Sequence, residues 1–91
     1  MDLERYTVEI NGRFPTLTPT EFTLLAALAA APGRVFNRTQ LVELLGLDYA
    51  GLERTIDSHI KNLRAKIEPD HGEPQLILTV FGVGYKFNET L

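Results

Sequence analysis

The sequence predicts an α+β fold in the order hairpin, three helices, hairpin, packed as one small domain. Three observations carry that prediction. Two helix starts each hold a capping box, at Thr18 with Glu21 and at Asn37 with Gln40. A third segment, from about Leu52 to Ile67, places Ile56, Ile60, Leu63 and Ile67 on one stripe at helical spacing. Both ends of the chain read as extended runs around turn signals, Asn11-Gly12 and the glycine-rich "FGVG".

Composition sets the outer bounds. A chain of 91 residues is long enough for one compact core. With 44% hydrophobic and 23% charged residues it reads as globular rather than disordered. There is no cysteine, which excludes disulfides and cysteine-based zinc sites and suits a reducing cytoplasm. No apolar run approaches a membrane span. The first residues include Asp2, Glu4 and Arg5 without an apolar core, so they do not form a signal peptide. Without secretion, the sequon at Asn88 carries no glycosylation reading.

In chain order, strands are expected at about Tyr6–Ile10 and Arg13–Leu17, joined through Asn11-Gly12. Two strands alone make a marginal sheet, which points to a sheet that begins late. The first helix starts after the cap Thr18, with Pro19 in its first turn, and runs to about Ala31, where Pro32-Gly33 stops it. Leu17 and Phe22 are spaced for a hydrophobic staple, as are Phe36 and Leu41. The second helix is short because Gly46 ends it, and "GLDYAG" follows as a loop. Glu68-Pro69 closes the third helix, and "LILTV" and "YKFNE" form the terminal hairpin.

The third helix stands out in charge. Between Arg54 and Lys66 it carries Arg54, Lys61, Arg64 and Lys66 against one acid, Asp57, in a chain of formal net charge −3. Opposite the apolar stripe lie Arg54, Ser58, Lys61, Asn62 and Ala65. Thr55, His59 and Lys66 occupy one flank, and Asp57 and Arg64 the other. Two helices joined by a tight loop, the second with a basic outer face, make a helix-turn-helix. The hairpin after them is a wing. The plain alternative is an ordinary solvated helix face with Asp57–Lys61 as an i,i+4 pair.

Catalytic and metal readings fail on geometry. Asp57, Ser58 and His59 are consecutive, so about 100° of helix rotation separates each from the next and they cannot align as a triad. His59 has only His71 as histidine company, in a loop beyond the helix, and reads as a phosphate or backbone contact rather than a metal ligand. Gly82 and Gly84 sit in a hairpin, where turn geometry explains them better than a phosphate loop. No catalytic residue, metal or cofactor is expected.

The stretches "LTPTEFTLL", "PGRVFNRTQL", "ERTIDSHIKNLRAKIEPD" and "TVFGVGYKF" together resemble the DNA-binding effector domain of OmpR/PhoB-type response regulators, from Leu17 to Phe87. The resemblance implies a winged helix-turn-helix: three helices, a C-terminal β-hairpin wing and an N-terminal antiparallel sheet, here truncated to two strands and the stub Asp2–Leu3. It implies a third helix in the major groove and a wing at the minor groove. On that resemblance Arg54, Thr55, His59, Lys61 and Arg64 match phosphate-holding positions, and Lys66 is counted with them. Ser58 and Asn62 match positions that face bases, and an asparagine pairs well with adenine. Thr79 and Phe81 match wing positions, and Tyr85 an aromatic whose hydroxyl meets the DNA backbone. For Arg64 the competing expectation is an internal pair with Asp57.

Two positions depart from the family pattern. A basic residue is common where this chain has Phe81, and phenylalanine cannot answer the minor groove's negative potential. The loop between the second and third helices, which in the family meets RNA polymerase or the DNA backbone, has Tyr49 in place of a tryptophan and is shorter by about one residue. The expected partner is double-stranded DNA, at tandem half-sites, bound by a domain that is monomeric in solution. RNA polymerase and a receiver domain, which would precede Met1, are further partners that the resemblance implies, and no membrane is expected. The alternative is a winged helix used for protein contact, with Phe81 as an exposed anchor.

Overall fold

The computed structural model describes residues 9–10, 12–46, 53–70 and 72–90, and of Glu53 the backbone alone. Its elements are α1 (Pro19–Ala30), β1 (Phe36–Asn37), α2 (Arg38–Leu44), α3 (Glu53–Ile67), β2 (Ile77–Val80) and β3 (Gly84–Phe87). The fold is α+β, three helices against a small antiparallel sheet of order β1-β3-β2.

Both capping boxes form. The Thr18 hydroxyl accepts from the Glu21 amide at 3.2 Å and the Glu21 carboxylate accepts from the Thr18 amide at 2.9 Å. Asn37 and Gln40 repeat the exchange at 2.7 and 2.9 Å. Each box satisfies two amides that the start of a helix leaves without a partner. Leu17 and Phe22, and Phe36 and Leu41, are all buried where staples would place them.

The core lies between the helices and one face of the sheet. Ile56, Ile60, Leu63 and Ile67 are fully buried, so the apolar stripe of α3 faces inward as its spacing demands. Leu24 and Leu28 of α1, Leu41 of α2 and Ile77 of β2 complete the fully buried set. Truncating one of the isoleucines to alanine would cost about 2–5 kcal/mol.

Two expectations change. The strand expected at Arg13–Leu17 is not continuous: Ile10 and Arg13 form an isolated bridge, and Pro15 cannot donate to a ladder. Its partner strand over residues 6–8, the stub Asp2–Leu3, Asn11 and the loop containing Tyr49 lie outside the described residues. The second change is β1. Phe36 pairs with Tyr85 and Asn37 with Gly84, so the segment read as a helix cap is also the third strand of the wing sheet. Gly84 permits that pairing, because a Cβ there would lie 2.0 Å from the Phe36 carbonyl oxygen.

The wing itself is β2 and β3, paired from Ile77↔Phe87 to Val80↔Gly84. The Val83 amide closes the turn onto the Val80 carbonyl at 2.9 Å, and Gly82 takes a φ of 80°, a conformation that suits glycine.

Candidate nucleic-acid interface

The outer face of α3 is open. Arg54, Ser58, Lys61, Asn62 and Ala65 are exposed, opposite the buried stripe. Among the described residues neither Arg54 nor Lys61 has an ion-pair partner, so both ammonium and guanidinium heads are free to meet an anion. Thr55 and His59 are half-buried on the flank.

The other two cations of α3 are engaged. Lys66 donates to Glu21 at 2.6 Å, which joins the third helix to the capping box of the first. Burial works to raise the Glu21 carboxyl, but the Lys66 ammonium and the Thr18 amide outweigh it and hold the pKa below its ordinary value. Arg64 turns to the wing. Its guanidinium donates to the Ile77 carbonyl at 3.2 and 2.8 Å and to the Thr79 hydroxyl at 2.8 Å, and it lies 5.4 Å from the centre of the Tyr85 ring. The expected internal partner was Asp57. The structure gives Arg64 the edge of β2 instead, while Asp57 turns to Arg38 and Tyr85.

Asp57 accepts from Arg38 at 2.9 Å and from the Tyr85 hydroxyl. The bond from Arg38, aided by that from Tyr85 and opposed by partial burial, holds the Asp57 carboxyl below its usual value. Burial, reinforced by the neighbouring carboxylate, raises the Tyr85 phenol. Tyr85 is buried, and its hydroxyl is directed to a protein carboxylate rather than outward. The site residues therefore fall into two sets. Arg54, Ser58, Lys61 and Asn62 share the open face, while Arg64, Lys66, Thr79 and Tyr85 make bonds inside the domain.

Sequence reading missed Arg38. It begins α2, is half exposed, and is held beside α3 by Asp57. A signal was present: a cation in the first turn opposes the helix dipole, and such a charge is commonly held by something else. At the wing tip Phe81 is 90% exposed, with the exposed Val83 two residues on.

These features define a winged-helix domain with a cationic, hydrogen-bonding strip on its third helix. The chain belongs to the family described as transcriptional regulatory protein, C terminal, whose pattern it matches over residues 12–87. It is 47% identical over 87 residues to the sensory transduction protein RegX3 of Mycobacterium leprae, a match covering 94% of this chain and 44% of that protein. The chain thus spans less than half the length of that relative. The response regulator DrrB of Thermotoga maritima, an OmpR/PhoB homologue, has the same fold with a TM-score of 0.85 and 36% identity, over 97% of this chain and 40% of its own. The DNA-binding domain of Klebsiella pneumoniae RstA, solved in complex with the RstA box, superposes with a TM-score of 0.82 at 33% identity, over 96% and 87% of the two chains.

Proposed function

We propose that this chain binds double-stranded DNA in a sequence-specific way, as the effector part of a cytoplasmic two-component response regulator. In this reading α3 lies in the major groove, where Arg54 and Lys61 neutralise phosphates and Ser58 and Asn62 meet base edges. Thr55, His59 and Arg38 contribute at the backbone on either side. Arg64, Lys66 and Tyr85 act by holding the surface together. The observation that carries the proposal is the open strip on α3, two cations without ion-pair partners among the described residues beside two short polar side chains, in a family of transcriptional regulators.

The domain is monomeric alone and fills tandem half-sites about one helical turn apart, with its receiver domain and RNA polymerase as further partners. Selection from random duplex followed by a salt titration tests the reading. A selected motif should be recovered, and affinity should fall steeply with salt. Failure to select any motif would end the sequence-specific reading. A stable dimer in light scattering at micromolar protein without DNA would end the monomer reading.

One observation favours a second reading. Phe81 and Val83 give the wing tip an apolar surface, which suits a protein partner better than phosphate. A partner held there would bind with little dependence on salt.

A further inference from the structure

The third helix and the wing are joined by two charged side chains near the end of α3. Glu68 follows the last helical residue and is only 4% exposed. Its carboxylate accepts the amides of Gln75 at 3.0 Å, Leu76 at 2.9 and 3.1 Å, and Ile77 at 2.9 Å. One turn earlier, Arg64 takes the Ile77 carbonyl and the Thr79 hydroxyl. Ile77 therefore has both backbone polar groups held by side chains from the end of α3. Between Glu68 and β2 the sequence has glycine and proline at 72 and 74, which would not fix an angle by themselves.

Nothing in a major-groove contact requires this carboxylate. A negative charge at the C-terminal end of a helix is also unfavourable to the helix dipole. Its burial is offset by several amide donors converging on it, an arrangement that is strongly directional. We infer that Glu68 is a positioning residue for DNA binding: it fixes the start of β2 to the end of α3, so that helix and wing meet the duplex at one set separation. The inference rests on the proposal that α3 lies in the major groove and on the expectation, from the family resemblance, that the wing reaches the minor groove beside it. It assigns Glu68 no contact with DNA of its own.

The experiment compares two duplexes built on the selected motif. One ends at the α3 site, and the other extends about half a helical turn on the wing side. Wild-type protein should bind the longer duplex more tightly. Glu68→Gln places an amide donor against backbone donors and should lose most of that gain, about tenfold at the most, while binding the shorter duplex within about twofold of wild type. Glu68→Asp keeps the charge and should restore part of the gain. Equal loss on both duplexes would show a general structural role and overturn the inference, with the DNA reading intact. Absence of any gain in the wild type would instead overturn the wing contact on which the inference depends. Amide exchange on the wild type supplies a readout that needs no variant. Leu76 and Ile77 should be protected alike in free and bound protein, and free exchange at these amides would overturn the latch.

Discussion

The outer face of α3 and its two flanks have similar charge in the sequence and opposite uses in the structure. On the face, Arg54 and Lys61 stand without ion-pair partners among the described residues. On the flanks, Asp57, Arg64 and Lys66 are tied to α2, β3, β2 and α1. A count of cations along the helix therefore overstates the surface offered to a polyanion. The buried stripe decides the difference: a long side chain about 100° from it can bend back to the domain, whereas one opposite it cannot.

Five substitutions and one titration test that division. The largest effect is expected for Arg64→Ala. It leaves the Ile77 carbonyl without its guanidinium partner and should lower folding stability by about 1–3 kcal/mol in denaturant unfolding, with the salt slope of DNA binding unchanged. Unchanged stability with a slope lowered by about one would place Arg64 on a phosphate and blur the contrast. Asn62→Ala should leave stability alone and relax preference at one base pair by about 1–3 kcal/mol. If it weakened random and selected duplexes alike, Asn62 would not be a base reader.

Lys61→Ala should reduce the salt slope by about one and shift stability by no more than about 0.5 kcal/mol. Lys66→Ala is its control, and should leave the slope where it was because Glu21 already holds the ammonium. Phe81→Arg should tighten binding, steepen the salt dependence and favour A·T-rich flanks over G·C-rich ones. Weaker binding on both flanks would mean that the phenylalanine makes a productive contact.

The smallest effect concerns acid. Glu21 and Asp57 both sit below their ordinary pKa values in the folded state. The stability they contribute is complete above the unfolded carboxylate pKa and is lost as pH falls through the folded one. The thermal midpoint should be level near neutral pH and decline below about pH 4, with a shallower decline in Asp57→Asn. An identical decline in that variant would show that other groups set the acid limit.

The local parts of this fold were readable. Thr18, Asn37, Gly46 and the α3 stripe are short-range signals, and the helices begin, end and face as those residues require. Two longer-range features were not readable. The pairing of Phe36–Asn37 with Gly84–Tyr85 joins segments far apart in sequence, and nothing in a two-residue strand announces its partner. The fate of Arg64 depended on where the Ile77 carbonyl would lie, which periodicity in α3 does not specify. Arg38 and Glu68 did leave a trace. Each places a charge at the unfavourable end of a helix, and each proves to be held from outside that helix.

The bonds at Ile77 also bear on how the margins of the sheet meet another chain. β2 is an outer strand of its sheet, and an open outer strand offers amides and carbonyls to any passing chain. Here Glu68 occupies the Ile77 amide and Arg64 its carbonyl. On the opposite side β1 runs for only two residues before the chain turns into α2, and the Gln40 side chain takes the Asn37 amide. At both margins, strand-to-strand growth meets groups already bonded. Copies crowded onto one duplex would thus be held back from assembling into a continuous sheet, by the same side chains that shape each one.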